Sequence, residues 1–149
     1  MFIGSEIASE VMNTQLQGIP ALVSVVGDRL TNSPFIPNDM PFPACYFYPV
    51  DASYAGPMGK RPRGQIAFEL VAMSFSLVCE GESTEPIRAA HLAQLLALDG
   101  KGFDYTDDAG AHYRVVFTAE GEVLPTRLME AKQPFRRLGT LYSVEITRG

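Results

Sequence analysis

Residues 65–80 read QIAFELVAMSFSLVCE, and no other stretch of the chain is more informative about the fold. Apolar side chains alternate with small or polar ones, which is typical of a β-strand. The apolar positions are first even-numbered and then, after residue 70, odd-numbered: Ile66, Phe68 and Leu70, then Val71, Met73, Phe75, Leu77 and Cys79. A strand whose two halves hide opposite faces either contains a β-bulge or has one half covered on its second side by another subunit.

Two helical segments precede this strand. Residues 5–17 carry apolar side chains at helical spacing, with Ser5 as the predicted N-cap and Gly18 as the stop. Pro20 then opens a short helical or mixed segment that ends at Gly27.

Two loops and a strand lie between these helices and residues 65–80. Four prolines in residues 31–43 predict an extended surface loop, because proline cannot donate to a β-ladder. Residues 44–50 are aromatic and β-branched and predict a strand, whose end Pro49 places at a sheet edge. Residues 51–64 hold three glycines, two prolines and the run KRPR, and so long a loop in a compact domain suggests a function or disorder.

A third helix follows, capped by Ser83 or Thr84, with Pro86 in its first turn and its end at residues 99–100. One face of this helix is predicted to be apolar and to consist of Ala89, Leu92, Ala93, Leu95 and Leu96. The residues that come next, 100–110, are rich in turn formers.

The remaining sequence predicts two strands separated by the less regular residues 123–132. Residues 112–119 and 138–147 both alternate between apolar and polar side chains. The inward side chains are predicted to be Tyr113, Val115 and Phe117, then Tyr142, Val144 and Ile146, with Ser143, Glu145 and Thr147 pointing outward. The predicted order is therefore α, loop, β, loop, β, α, β, β, without a sequence repeat.

Composition sets the class of protein. The chain has 149 residues, of which 46% are hydrophobic and 19% charged, so it can form a core and is predicted to be one domain over residues 1–149. Twelve basic and seventeen acidic residues give 12 − 17 = −5, which argues against a dedicated nucleic-acid-binding protein. Any contact with a polyanion must be local.

The missing signal-peptide pattern predicts a cytoplasmic protein, and cysteine usage and hydropathy exclude further classes. Cys45 and Cys79 have no CxxC or Cys/His companion, which argues against a disulfide framework or a zinc site. The first residues lack the pattern of a signal peptide, and the longest apolar run, residues 70–79, is about half the length needed to cross a bilayer. No contact with a membrane is predicted.

Motifs for catalysis are missing from the sequence. It has no phosphate-binding GxxxxGK[ST] or GxGxxG and no nucleophile elbow GxSxG. His91 falls on a predicted helix. His112 lies close in sequence to Asp107 and Asp108, and these residues could form either a solvated turn or a weak site for a hard cation. We predict no enzyme activity and no catalytic, cofactor-binding or metal-binding residues.

Basic residues are concentrated in two clusters on this acidic chain. Each cluster could bind phosphate, pair with acidic residues of a neighbouring subunit, or keep a loop soluble. The clusters are Lys60, Arg61 and Arg63, then Lys132, Arg136 and Arg137. Large apolar side chains also occur in the proline-rich loops, where a monomer rarely exposes them without a partner: Phe35, Met40, Phe42 and Met58.

The order of these elements resembles the tail completion, or tail terminator, proteins of long-tailed phages and gene transfer agents. The resemblance spans nearly the whole chain and is carried by order and hydrophobic pattern. The matching segments are ALVSVVGDRL (21–30), PACYFYPV (43–50), FELVAMSFSLVC (68–79), PIRAAHLAQLLALDG (86–100) and FRRLGTLYSVEITRG (135–149).

The resemblance implies an α+β fold with a mostly antiparallel sheet flanked by helices and with long loops rich in proline and glycine. It also implies a structural virion protein of the tail or neck, assembled in the host cytoplasm and without a cofactor. Six copies would form a ring that caps the tail tube, ends its polymerisation and offers the surface for head-tail joining. The implied partners are other copies of the chain, the tail tube protein and the head-tail connector proteins, with DNA passing through the channel.

Two alternatives stay open at this point. The chain could be a head-tail connector of the neck, which touches a different ring of the same assembly. It could also be a small enzyme or ligand-binding α+β domain, with a pocket on one sheet face lined by Tyr46, Tyr48, Phe68 and Phe75.

Overall fold

Within the residues described by the computed structural model, 3–36, 39–54, 68–130 and 133–148, three helices pack on one face of a six-stranded sheet. The strand order is β1-β2-β3-β6-β5-β4, with β1 and β2 parallel and the other neighbours antiparallel. The expected α+β fold is confirmed. The elements are α1 (Gly4–Gln17), α2 (Pro20–Val26), β1 (Leu30–Asn32), β2 (Ala44–Tyr54), β3 (Phe68–Glu80), α3 (Glu85–Leu98), β4 (Gly102–Thr106), β5 (His112–Glu130) and β6 (Gln133–Arg148).

β3 has no bulge where its apolar phase changes, so this alternative is excluded, and the alternative that another subunit covers one half of the strand stays a prediction. β3 pairs with β6 in continuous register from Phe68 to Glu80. Glu69 lies on the helix-covered face, is only 6% exposed, and accepts a hydrogen bond of 3.1 Å from the backbone N–H of Ile3. Negative charge is stabilised at a helix N-terminus, and this favours Glu69 in its buried position at the start of α1. The sequence pattern of residues 66–70 assigns residue 69 to the solvent face instead.

The first turn of α1 packs directly on the sheet. A Cβ atom on Gly4 would lie 3.0 Å from side-chain atoms of Glu69, Val71 and Ile146, so the close approach favours glycine there. Ser5, the predicted N-cap, lies inside the helix, and Ile3 holds the cap position without a side-chain hydrogen bond. The capping oxygen therefore comes from a distant strand rather than from the neighbouring sequence.

The buried face of α3 differs from the predicted one. Ile87, Ala90, Gln94 and Leu98 are buried, whereas Leu92 is 54% exposed and Leu96 is 67% exposed. The four buried residues follow helical spacing. One of them, Gln94, is polar, and a search for a face of apolar residues therefore leaves it out.

Gln94 anchors α3 to β6 through a buried hydrogen-bond network. Its side-chain amide donates to the Thr140 hydroxyl at 3.1 Å, and the Tyr142 hydroxyl donates to its side-chain carbonyl at 2.6 Å. Burial is the largest cause that raises the pKa of Tyr142 far above that of a free tyrosine. The network satisfies polar atoms that would otherwise be costly to bury.

β2 extends beyond its predicted end at residue 50. The Cys45 N–H donates to the Arg29 carbonyl at 3.0 Å, so the odd-numbered amides in this half of β2 face β1. The pairing of β1 with β2 ends at Phe47. Pro49 is the next residue of β2 that would direct an N–H towards β1, and its missing N–H therefore costs no hydrogen bond of the sheet. The strand continues through a register shift between Pro49 and Asp51 to Tyr54.

Other loop predictions were too long. Residues 31 and 32, assigned to the proline-rich loop, form most of β1, and residues 51–54, assigned to the second loop, complete β2. β4 lies within the turn-rich residues 100–110, and residues 123–130 belong to β5, which has register shifts near Gly121 and near residues 123–126. The observed order is α, α, β, β, β, α, β, β, β.

The predicted inward residues of β5 and β6 are confirmed. Tyr113, Val115 and Phe117 on β5 belong to the main core under the helices. Tyr142, Val144 and Ile146 on β6 belong to it too, beside the odd-numbered residues of β3.

Candidate assembly surfaces

Two of the six basic residues predicted to meet a partner belong to the described part of the chain. Lys60, Arg61, Arg63 and Lys132 lie outside the described residues. Arg136 and Arg137 are consecutive residues of β6 and are half-buried.

Strand alternation places Arg136 and Arg137 on opposite faces of the sheet, so these two do not form a single patch. Arg136 is opposite Cys79 in register, and its Nε donates to the backbone carbonyl of Glu82 at 3.0 Å. Arg137 is opposite Val78 and donates from Nη1 to the Tyr46 hydroxyl at 3.2 Å.

A small aromatic cluster covers part of the sheet face that lacks helices. Tyr46, Val78 and Phe135 are its buried members, and the Phe42 and Phe135 rings are 4.7 Å apart. Phe42, expected to await a partner, is therefore covered within the chain. Phe35 is 72% exposed, as expected for a loop residue that needs a partner, and Met58 lies outside the described residues.

The structure argues against a pocket on one sheet face. Phe75 belongs to the core under the helices, whereas Tyr46 and Tyr48 belong to the cluster on the opposite face. Period-two alternation separates these side chains, so they cannot line one cavity. The side chain of Phe68 is not among those described.

The histidines have local hydrogen-bond partners. The Nδ1 of His112 lies 2.9 Å from the Thr106 hydroxyl, and Asp107 accepts bonds from the Ala109 and Ala111 amides and closes the turn. Burial lowers the pKa of His91, although the charge of Glu122 opposes this shift. In the part of the chain that the structure describes, no three His, Cys, Asp or Glu residues are placed to hold a metal ion.

Cys45 and Cys79 are both free and buried. Burial raises the pKa of the Cys45 thiol well above its usual value. Burial likewise raises the pKa of Cys79, while the positive charge of Arg136 acts in the opposite direction. Neither thiol is placed for reactive chemistry.

An open cleft of about 710 Å³ lies between α1 and the β1–β2 edge, and the sequence analysis did not identify it. It is lined by Ser5, Glu6, Ser9, Glu10, Asn13, Leu30, Asn32 and Pro49. The α1 members recur at helical spacing on one polar face, a signal that the sequence contains but that does not reveal what faces them. We name this space the acidic cleft, after Glu6 and Glu10.

Glu10 of the acidic cleft also contacts β4. The Tyr105 hydroxyl donates a hydrogen bond to the Glu10 carboxylate. This bond, followed by smaller contributions from burial and from the charges of Glu10, Asp108 and Asp107, raises the pKa of Tyr105 to about 12.

Replacing Glu10 with glutamine is expected to lower the pKa of Tyr105 from about 12 towards the ordinary value of 10.0. The folded protein holds this proton more tightly than the unfolded chain does. The corresponding contribution to stability is therefore complete below pH 10 and lost as the pH rises to about 12. Difference titration of tyrosinate absorbance for the parent, Glu10→Gln and Tyr105→Phe proteins measures the shift; identical parent and Glu10→Gln curves would contradict it.

Comparison with known proteins gives a likeness in fold. No protein-family model matches the chain, and no curated protein sequence matches it. A solved chain described as part of the "virion of native gene transfer agent (GTA) particle" superimposes with a TM-score of 0.54 at 17% sequence identity. The match covers 93% of this chain and 92% of that chain, so the two have a similar fold over most of their lengths.

Among the helices that the structure describes, none is both long enough and apolar enough to cross a membrane. The two longest, α1 and α3, have 14 residues each. About 20 apolar residues are needed to span the hydrocarbon core of a bilayer.

Proposed function

We propose that this chain is a non-enzymatic structural subunit of a phage-like particle and that it acts as a tail terminator. Six copies form a ring on the head-proximal end of the tail tube, end its polymerisation and provide the surface to which the head connector binds. The particle assembles in the host cytoplasm, and the chain belongs to its tail or neck.

The shared fold is the observation that carries this proposal. The chain and the chain from the gene transfer agent virion correspond over more than nine-tenths of both lengths. Because folds host many functions, the likeness supports the proposal without deciding the position of the subunit in a particle.

The chemistry of the described residues fits a structural role. Tyr46 and Tyr48 are separated by the sheet from Phe75, so the pocket required by the ligand-binding alternative is not formed. A ring also needs two different complementary surfaces on each subunit. The helix-free sheet face, the exposed leucines of α3 and the acidic cleft supply distinct surfaces of this kind.

The proposed partners are the tail tube protein, the connector proteins and further copies of this chain, with DNA passing through the channel. The interaction candidates remain Lys60, Arg61, Arg63, Lys132, Arg136 and Arg137. Arg137 faces the aromatic cluster and Arg136 the opposite side, so we propose that they meet different neighbours.

Deleting the gene for this chain in a particle-producing cell tests the role. Electron microscopy is expected to show tails of irregular, excess length, because nothing stops growth of the tube. Normal-length tails that fail to join heads would instead place the chain at the connector, the second candidate. Complete particles of normal appearance would contradict both roles, and re-expression of the parent chain from a plasmid is the control.

A further inference from the structure

We propose that two copies of the free chain pair through the outer face of α3, with the two helices antiparallel about a two-fold axis. This inference goes beyond the proposed ring, because it concerns the chain before it joins a particle. The occupant of this face is a second copy of the same helix, and the charges at the two ends of α3 select it.

The outer face of α3 carries a short apolar ridge. Ala89, Leu92 and Leu96 are exposed and follow one another at intervals of three and four residues, as in the contact seam of a two-helix coiled coil. We name these three residues the outer ridge. They lie on the side of the helix opposite the buried Ile87 and Gln94, and removing leucines from water on contact with a partner is favourable.

Opposite charges stand at the two ends of the outer ridge. Arg88 lies four residues before Leu92, and Asp99 lies three residues after Leu96. Both charged side chains are exposed. Two parallel helices would bring like charges together at each end, whereas two antiparallel helices bring each Arg88 to Asp99 of the second copy. The charge pattern therefore favours a two-fold contact of the outer ridge with itself.

Helix geometry is consistent with this arrangement. With the two-fold axis midway between Leu92 and Leu96, each Leu92 faces Leu96 of the second copy. At a rise of about 1.5 Å per residue, Arg88 and Asp99 of the second copy then differ in height by about 1.5 Å along the helix axis. At about 100° per residue, Arg88 and Asp99 also lie on the same flank of the outer ridge, so the guanidinium can reach the carboxylate.

Both charged groups can form this contact and keep their present hydrogen bonds. Arg88 donates to the Glu85 carboxylate at 2.7 Å and to the Thr84 hydroxyl at 3.1 Å, and a guanidinium has five N–H donors. One carboxylate oxygen of Asp99 accepts the Ala119 N–H at 2.9 Å. Asp99 forms no ion pair with any described residue, so its second oxygen can accept from Arg88 of the second copy.

The pair is expected to be weak. α3 has 14 residues and is about 21 Å long, so two such helices bury less surface than the about 1,200 Å² at which stable interfaces begin. Ion pairs between exposed side chains add little affinity. A weak pair suits the proposed ring, because the leucines of α3 are among the surfaces offered to it. Pairing of the free chain then competes with ring closure away from a tail.

Sedimentation equilibrium of the full-length chain, at up to about 1 mM protein, tests the contact. The parent is expected to approach twice the monomer mass as its concentration rises. Leu92→Gln/Leu96→Gln is expected to associate at least about tenfold more weakly, because it removes the outer ridge while glutamine keeps a good helix propensity. The control Val50→Gln/Leu141→Gln removes two exposed apolar side chains from the sheet and should associate like the parent.

Exchange of charges tests the antiparallel orientation. Arg88→Glu and Asp99→Lys each create two repulsive contacts in a pair of identical copies, so each variant is expected to associate about tenfold more weakly at low salt. In an equimolar mixture, one copy of each variant forms two attractive contacts, and association is expected to return to the parental level. Asp99→Asn guards against a folding defect, because it removes the charge and keeps an oxygen for the Ala119 N–H. It should weaken pairing with an unchanged circular dichroism spectrum.

Three results would each overturn the inference: a parent that is monomeric at every concentration, parental association of the leucine variant, or a mixture of charge variants that associates no better than its components. The proposed function is decided separately, because the deletion experiment reports tail length and does not depend on pairing of the free chain. A chain that forms this pair but is missing from a ring in particles would refute the ring and leave the pair.

Discussion

Replacing Phe117 with alanine is expected to lower the free energy of unfolding by about 3 to 5 kcal/mol. Phe117 is fully buried on β5, and its ring packs edge-on against Phe103 at 5.8 Å and Tyr142 at 5.9 Å between centroids. Alanine would lose the apolar contacts and leave a cavity between β4 and β6 that rigid strands on both sides cannot fill.

Urea unfolding followed by circular dichroism measures this effect. The matched control is Phe35→Ala, because the Phe35 side chain is 72% exposed. We expect its free energy of unfolding to stay within about 0.5 kcal/mol of the parent. Equal losses for the two variants would contradict the described core.

The second large effect is expected on α3. Replacing Ile87 with alanine should lower the free energy of unfolding by about 2 to 5 kcal/mol, because this side chain lies on the inner face of α3 and is completely buried. Replacing Leu96 with alanine should change the free energy of unfolding by about 0.5 kcal/mol or less, since Leu96 is 67% exposed.

This pair of variants compares the two faces of one helix. Both remove branched aliphatic side chains from α3, so helix propensity contributes little to the difference between them. The same urea titrations give both values. A larger loss for Leu96→Ala than for Ile87→Ala would restore the face predicted from the sequence.

Periodicity predicted the strands best where one face of the sheet is buried and the other is not. Tyr142, Val144 and Ile146 alternate with polar residues, and the structure buries all three. The long apolar run of β3 was also recognised, because the odd-numbered residues from Val71 onward follow a strict period of two.

The same reasoning failed where a contact between distant elements decides the environment of a residue. Glu69 is polar in sequence but is buried where α1 begins, and no local pattern reveals that Ile3 lies beside it. In α3 eight of the ten residues from Ala89 to Leu98 are apolar, so spacing cannot select one face, and the buried Gln94 makes the true face look polar. The sequence did not predict β4, because glycine and aspartate residues, which are typical of turns, surround its two aromatic residues, Phe103 and Tyr105.

The assembly surfaces were only partly predictable for the same physical reason. Arg136 and Arg137 are adjacent in sequence, but strand alternation sends them to opposite faces. The acidic cleft combines the polar face of α1 with the end of β1 and with Pro49, which are joined only by folding. Charge counting found the basic segments but not this acidic surface.

The most direct test of the central claim is the position and symmetry of this chain in intact particles. Electron cryomicroscopy of particles purified from the producing cell, with the chain identified by its fold in the density, gives both quantities at once. We predict a closed ring of six copies on the head-proximal end of the tail tube, between tube and connector. Its presence elsewhere in the particle, or a two-fold dimer found only outside particles, would contradict the account.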